Sequence, residues 1–157
     1  CQVHHIWEYP GIDDRNDQRV RLFNNPNWMD EFIAHAWPTM QRQEVRFMVP
    51  QTELTVPTGT NIYETRIYRT VVGRFKEFAE ALARRPRLAN STLVGIYTCH
   101  SPEPNEVIEI VAYSDIAGRF GGYAKSAAER DWLDAVGHEI LDVRSTILEP
   151  LPISPIR

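Results

Sequence analysis

The sequence has few cysteines, no long apolar runs and no excess of basic charge. Two cysteines among 157 residues cannot form the disulfide framework of a small secreted domain, and they are typical of a reducing compartment. The longest uninterrupted apolar runs are only a few residues, which excludes a membrane-spanning helix. Because 17 basic residues face 21 acidic ones, the net charge of −4 argues against a nucleic-acid partner. We therefore expect a cytoplasmic protein that binds neither membranes nor nucleic acid.

The chain does have enough apolar residues for a core. Hydrophobic residues make up 43% of the sequence and charged residues 24%, which is typical of a folded globular protein. A length of 157 residues corresponds to one average domain or to two very small ones.

Two stretches of the chain resemble each other. Residues 3–30 and 107–134 align without a gap at an offset of 104, with seven identical positions in 28. About two identities are expected by chance from ordinary composition. Both copies place a tryptophan 19 residues after a tyrosine, as Tyr9 with Trp28 and as Tyr113 with Trp132. This similarity predicts a duplicated structural unit.

The second half of the chain predicts one complete unit. From residue 61 the patterning gives strand, helix, strand, strand, helix, strand, which is the order of a split βαβ, ferredoxin-like fold. The predicted strands are 61–69, 93–100, 106–113 and 145–148, and the predicted helices are 72–84, 115–128 and 131–142. We expect an α+β protein with an antiparallel sheet in the order 4-1-3-2.

The first 50 residues predict only the second half of such a unit. They contain a predicted strand at 2–9, helical segments at 13–24 and from Pro26, and a strand at 44–49. Residues 51–60 are polar, contain Pro57 and Gly59, and are expected to form a linker to the complete repeat at 61–157. A half repeat alone leaves open sheet edges. We therefore expect a second polypeptide, the N-terminal part of a cleaved precursor, to complete it; further homo-oligomerisation stays open.

Short motifs of the second half resemble the NIPSNAP family. The motifs are Ile62-Tyr63-Glu64-Thr65-Arg66-Ile67-Tyr68, Gly73, Phe78, Leu93-Val94-Gly95, Asn105-Glu106-Val107, Tyr113, Arg119, Trp132 and Ile147-Leu148-Glu149-Pro150-Leu151-Pro152. The resemblance covers 61–155 as a full repeat and 1–50 as part of another. It implies an α+β barrel, in which two ferredoxin-like sheets face each other around an apolar cavity. It implies little about activity, because this architecture supports many functions.

The cysteine at position 1 suggests a reaction. A thiol on a terminal residue has its own general base in the α-amine, whose pKa is about 7.7–8.0 in model compounds. N-terminal-nucleophile hydrolases use this arrangement after internal cleavage exposes a cysteine, serine or threonine. Cys1 aligns with Asn105, at the start of a predicted strand. We expect a hydrolase of an amide or related acyl bond in a small molecule, with Cys1 as the nucleophile; simple trimming of the chain is the alternative.

A histidine shares the predicted strand face of this cysteine. Alternation along the strand places Cys1, Val3, His5 and Trp7 on one side. His5 is four residues from Cys1, about 13 Å at the usual rise of a strand, which is too far for direct contact. His5 is therefore expected to orient a substrate, or to be a hydrogen-bonded residue of the cavity wall, and Trp7 is expected to line the cavity.

Three polar side chains alternate on another predicted strand. Glu64, Arg66 and Tyr68 share one face, which is either solvated or the cavity side of a barrel, away from the helices. In the second case they would orient the substrate, with Tyr97 and Glu109 in the cavity wall.

Other functions and sites follow from the same residues. Two other functions stay open. One is a cofactor-independent isomerase, lyase or monooxygenase using His5 and Tyr68, and the other is a non-catalytic ligand-binding module.

The pair His4-His5 lacks the spaced partners of a metal site, so neither a metal nor a cofactor is expected. Cys99 is expected to be a buried small apolar residue. The run Arg84-Arg85-Pro86-Arg87 is expected to be a solvated helix end.

Overall fold

The computed structural model describes residues 2–59, 61–121 and 127–154. Contacts within the chain divide it into two compact units, Cys1–Glu44 and Val45–Arg157. We call them the first unit and the second unit.

The first unit is helical over much of its described part. Its elements are α1 (Ile12–Phe23), a π-helical segment (Asn27–Ile33), α2 (Ala34–Ala36) and a 3-10 turn (Trp37–Thr39). Trp28 stacks on Phe32 with their ring centroids 4.4 Å apart. Ile33 is the only apolar side chain described in this unit that is fully buried. The first unit therefore has almost no core of its own.

The strand predicted at residues 2–9 is not formed. These residues adopt neither helix nor strand, and Val3, Ile6 and Trp7 are each more than half exposed. Aromatic and β-branched residues favour a strand where a paired neighbour and a packed face receive them. None of the described strands pairs with this segment, so the prediction is wrong for a tertiary reason.

The second unit contains a five-stranded antiparallel sheet. Its strands are β1 (Phe47–Pro50), β2 (Ile62–Thr70), β3 (Ser91–Ser101), β4 (Glu106–Tyr113) and β5 (Ile140–Leu148). The strand order is β1-β3-β4-β2-β5, and every neighbouring pair is antiparallel. The four strands from β2 onward have the predicted ferredoxin-like order, which confirms the antiparallel α+β fold. The strand expected at 44–49 joins this same sheet as β1, at its edge beside β3.

Three described helices accompany the sheet. They are α3 (Phe75–Ala83), α4 (Ile116–Gly121) and α5 (Ala127–Val136), and a 3-10 turn (Gly137–Glu139) follows α5. The helix predicted over 131–142 ends early, because β2 offers a hydrogen-bonding partner along its length and Ile140 already belongs to β5. The last strand is therefore longer than the sequence predicted.

Two apolar clusters form on opposite faces of the sheet. The cluster under α3 contains Tyr68, Phe78, Ala79, Leu82, Ile96 and Val107, with Trp132 and Val136 of α5 packed against it. We call this side of the sheet the helix face. The cluster on the opposite face contains Tyr63, Val94, Cys99, Ile108, Ile110 and Ala112. β4 is buried along its whole length, as expected for a strand that contributes to both clusters.

An apolar stripe along α3 packs on the sheet, and the residues on either side of the helix are placed by it. Phe75, Phe78 and Leu82 recur at helical intervals and form its buried stripe. Gly73, with a φ of 81°, makes the turn into the helix in a conformation that favours glycine. Arg74 then donates to Glu139 at 2.6 Å and ties the start of α3 to the turn before β5.

Candidate functional site

The polar face of β2 lies under the helices. Glu64, Arg66 and Tyr68 are all buried, and the Tyr68 ring packs against Phe78 of α3 at 5.2 Å between centroids. The sequence left a choice between solvent and a cavity on the side away from the helices. The structure contradicts both expectations, because the three side chains are buried on the helix face of the sheet.

Glu64 accepts hydrogen bonds from several directions. Arg66 and Arg119 each donate to it at 2.6 Å, Ser145 of β5 donates at 2.5 Å, and the Tyr113 hydroxyl donates at 3.2 Å. Its carboxylate is fully shielded from solvent, with 0% exposure. Burial raises the pKa of Glu64, but the hydrogen bonds and charges of the two arginines outweigh burial and lower that pKa to about 2. Glu64 is therefore an anion at neutral pH.

Glu109 is a second buried acceptor, opposite Arg66 in the register of β2 and β4. It accepts from Arg66 at 3.0 Å, from Arg87 at 2.7 Å and from the Tyr68 hydroxyl at 3.2 Å. Arg85 lies 3.5 Å away. Burial and the neighbouring Glu109 charge raise the pKa of Tyr68, so its hydroxyl keeps its proton and donates it.

Arg85 extends this network toward α5. It donates to the Tyr68 hydroxyl at 3.1 Å and to Glu129, and its guanidinium lies 5.1 Å from the centre of the Trp132 ring. The expectation that Arg85 and Arg87 form a solvated helix end is wrong. Arg85 continues the stripe of Phe78 and Leu82 one turn further, so it is carried beneath α5 rather than into solvent.

Four arginines and three glutamates thus form one cluster on the helix face. We call it the arginine–glutamate cluster; its members are Arg66, Arg85, Arg87, Arg119, Glu64, Glu109 and Glu129. Tyr68, Tyr113 and the Leu82 carbonyl accept further hydrogen bonds from these guanidiniums. With four arginines and three glutamates, the cluster carries one net positive charge.

A cavity of about 200 Å³ adjoins the cluster. Its residues come from β2, β5, α4, α5 and the segment after α3: Glu64, Arg66, Tyr68, Arg85, Arg119, Trp132, Leu133, Ile140, Val143 and Ser145. The lining thus combines apolar side chains of α5 and β5 with three arginines, one glutamate, a tyrosine and a serine. The arrangement suits a ligand with an apolar body and an anionic group.

The cavity has fixed charges rather than groups ready for proton transfer. The pKa of Glu64 is lowered, and the pKa values of Tyr68 and Arg66 are raised, each away from neutrality. A general acid or base works best when its pKa lies near the operating pH. These groups are therefore suited to holding a charged ligand more than to exchanging protons with it.

The other predicted site residues lie elsewhere. His5 and Trp7 belong to the first unit and are exposed, and Cys1 lies outside the described residues. Tyr97 packs against the apolar cluster on the opposite face of the sheet. Glu109 is the one proposed wall residue that joins Glu64, Arg66 and Tyr68 on the helix face.

Cys99 is buried, as predicted. It packs in the opposite-face cluster, its sulfur lies 3.0 Å from the Ser101 carbonyl, and burial raises the pKa of its thiol.

In the described parts of the chain, no three histidine, cysteine or acidic side chains are grouped so that they could hold a metal ion. No helix within the described ranges has the length and apolar character needed to cross a bilayer.

Sequence reasoning missed half of the site. Arg85, Arg87 and Glu129 were not predicted, although the position of Arg85 three residues after Leu82 was a usable signal. Arg119 appeared only as an identity between the two similar stretches and in the family motifs. Ser145 gave no signal, because its role depends on the pairing of β5 with β2 opposite Arg66.

Comparison with known proteins identifies the relatives of this chain. The NIPSNAP family model matches residues 1–53 and 63–155. Human Protein NipSnap homolog 3B is 22% identical over 165 residues, covering 99% of this chain and 67% of the human protein. Protein NipSnap of Drosophila melanogaster is 35% identical over 48 residues, covering 31% of this chain and 17% of its own length. The chain thus spans about two thirds of the human relative.

Solved structures share the fold of about three fifths of this chain. An uncharacterized NIPSNAP domain protein from Burkholderia xenovorans is similar with a TM-score of 0.54 and 22% identity, over 60% of this chain and 98% of that one. A nipsnap family protein with unknown function from Agrobacterium tumefaciens gives a TM-score of 0.55 and 21% identity, over 62% and 95%. At these identities the likeness shows the fold alone.

These findings overturn the predicted hydrolase. Neither the matching family nor the solved relatives described above have a stated activity, and none supports a hydrolase with an N-terminal cysteine. The strand that was to place His5 and Trp7 on the same face as Cys1 is also absent from the described fold. The prediction of an N-terminal cysteine hydrolase is therefore wrong.

Proposed function

This chain belongs to the NIPSNAP family, and from its own cavity we propose that it binds a small, largely apolar molecule that carries one anionic group. One observation carries the proposal: apolar side chains of α5 and β5 line the same cavity as three arginines and one glutamate. A cationic surface in a partly desolvated cavity attracts an anion more strongly than it would in water. The apolar walls contribute the burial of the ligand body.

The proposal is for binding without catalysis. Its support is the displacement of the pKa values of Glu64, Tyr68 and Arg66 away from neutrality, which makes them poor proton carriers at pH 7. The alternative of a cofactor-independent isomerase, lyase or monooxygenase that uses His5 and Tyr68 stays a prediction. The cytoplasm stays the predicted location, on the small number of cysteines.

Calorimetric titration with three six-carbon compounds tests the proposed binding. Hexanoate, 1-hexanol and hexylamine share an apolar chain and differ in their charge at pH 7. We expect hexanoate to bind at least about tenfold more tightly than the other two, which corresponds to about 1.4 kcal/mol. Equal affinity for hexanoate and hexanol, or no saturable binding of hexanoate, would contradict the proposal.

A matched pair of variants locates the binding. Val143→Phe places a larger side chain in the cavity, and we expect it to weaken hexanoate binding at least tenfold. Val72→Phe makes the same change at a position that is 80% exposed and does not line the cavity. Thermal unfolding of both variants checks that they fold. Unchanged hexanoate affinity in folded Val143→Phe would place any binding outside this cavity.

We also propose that a further polypeptide segment completes the first unit. Its support is the match of the family model to both residues 1–53 and residues 63–155, together with the seven identities between the two stretches. The exposure of Ile12, Val20 and Phe23 on α1 agrees with a missing neighbour. The occupant would be the strand–helix–strand of the same kind of repeat, roughly 50–70 residues long. In this proposal the two repeats would together form the α+β barrel.

A further inference from the structure

The residues that line the cavity differ in their exposure. The charged ones, Glu64, Arg66 and Arg119, are buried. Leu133 of α5 and Val143 of β5 line the same cavity and yet are 40% and 45% exposed. The register of the sheet places Val143 opposite Tyr68, two residues along β5 from Ser145, which lies opposite Arg66. The apolar lining residues therefore reach solvent, whereas the charged ones do not.

The size of the cavity limits what it can enclose. Its volume of about 200 Å³ lies below the roughly 300–1,000 Å³ of pockets that enclose drug-sized ligands. A ligand with its anionic group at the arginines has room for only a few carbon atoms inside. A longer ligand that leaves past Leu133 and Val143 keeps apolar contact, because both side chains line the cavity and are half-exposed.

From this shape we propose that the ligand class is a straight-chain carboxylic acid. Its carboxylate would lie toward Arg66 and Arg119, and its chain would leave between Leu133 and Val143. A slender chain meets both requirements, because it fits the small interior volume and still contacts the half-exposed apolar residues of the lining. This inference rests on the proposed binding function and names the substrate class for that site.

A chain-length series of free carboxylates tests the inference. Butyrate, hexanoate, octanoate and decanoate are titrated below their micelle concentrations, with benzoate and a branched acid, 2-propylpentanoate, for comparison. Each added CH2 that gains apolar contact strengthens binding by about three- to fourfold. We expect tighter binding at each step from butyrate to octanoate, with octanoate binding more tightly than either benzoate or 2-propylpentanoate.

Two conservative variants examine the opening directly. Leu133→Gln and Val143→Thr keep the helix and strand preferences of their positions while removing apolar contact. We expect them to reduce octanoate affinity at least fivefold and to change butyrate affinity less than twofold. Val72→Thr, which alters an exposed valine away from the cavity, should change neither affinity.

The outcomes separate this inference from the function on which it rests. Carboxylates that bind better than hexanol but with an affinity independent of chain length would overturn the chain inference and leave anion binding intact. The same holds if benzoate or 2-propylpentanoate binds more tightly than every straight chain. Absence of binding by any carboxylate would overturn both.

Discussion

At the scale of single residues, two buried carboxylates organise the helix face of the sheet. Glu64 and Glu109 lie on neighbouring strands, two residues apart in register, with Arg66 donating to both. Burying ions is costly unless each is paired and hydrogen-bonded. Here every carboxylate of the arginine–glutamate cluster has at least one guanidinium partner. The cluster therefore keeps its charge while forming one side of a cavity.

We predict that Glu64 makes the stability of the protein depend on pH in acid. The folded pKa is lowered from 4.5 to about 2, so the unfolded chain takes up the proton first as the pH falls. The stabilisation is complete above pH 4.5 and is lost between 4.5 and about 2, an amount of about 3 kcal/mol. Urea unfolding measured at successive pH values checks this.

Glu64→Gln provides the comparison for that measurement. It removes the titrating group, leaves Arg119 without its buried anion and leaves Arg66 with Glu109 alone, which should cost about 3–5 kcal/mol at pH 7 and flatten the acid dependence. Glu80→Gln changes an exposed glutamate of α3 and should cost less than about 0.5 kcal/mol. An acid slope that is the same in the parent protein and Glu64→Gln would show that other groups cause it.

At the scale of the elements, α3 and the segment after it connect the core to the cavity. Phe78 and Leu82 are fully buried under the helix, and Arg85 and Arg87 follow at its end, donating to Tyr68 and Glu109. On the other side, Trp132 of α5 donates its indole N–H to the Ala81 carbonyl at 3.0 Å. The two helices are therefore held together at the place where the arginines enter the site.

We predict that Leu82→Ala destabilises the protein by about 2–5 kcal/mol, the usual cost of deleting a buried leucine side chain. Chemical unfolding gives the free energy of unfolding for comparison with the parent. Val72→Ala removes apolar atoms at a strongly exposed position and should cost less than about 0.5 kcal/mol. Similar losses in the two variants would mean that α3 does not hold the core.

At the scale of the whole molecule, the two units differ in the core each possesses. The second unit has apolar clusters on both sides of its sheet. In the described part of the first unit, Ile33 alone is a buried apolar residue, while Trp7, Val20 and Trp37 are more than half exposed. Since apolar burial is the main favourable contribution to folding, we expect the second unit to be the more stable of the two.

We predict that hydrogen exchange separates the units in the isolated chain. Backbone amides of α1 should exchange at least about 100-fold faster than those of β4, because local opening of a helix without a core costs little free energy. Mass-spectrometric exchange of peptic peptides measures both regions at once.

The same experiment on the assembly purified from its natural source tests the proposed partner segment. If a second polypeptide covers the first unit, α1 should become protected while β4 stays as it was. Equal protection of α1 and β4 in the isolated chain would contradict the prediction for the first unit. An unprotected α1 in the natural assembly would contradict the partner.

The sequence by itself determined the order and type of the elements in the second unit. The alternation along β2 and the spacing of Phe75, Phe78 and Leu82 on α3 are local patterns, and local patterns specify which face of a strand or helix is apolar. The antiparallel sheet followed from those patterns, whereas the family followed from the resemblance of short motifs. The burial of Cys99 also followed, from its residue type and position in an apolar strand.

Only the tertiary structure decided which side of the sheet holds the polar residues. Alternation shows that Glu64, Arg66 and Tyr68 share a face, but whether helices cover that face depends on the packing of α3 and α5. The approach of Arg85, Arg119 and Ser145 likewise depends on contacts between residues distant in the chain. The strand expected at 2–9 was lost for the same reason: a strand requires a partner, and a partner is a property of the fold.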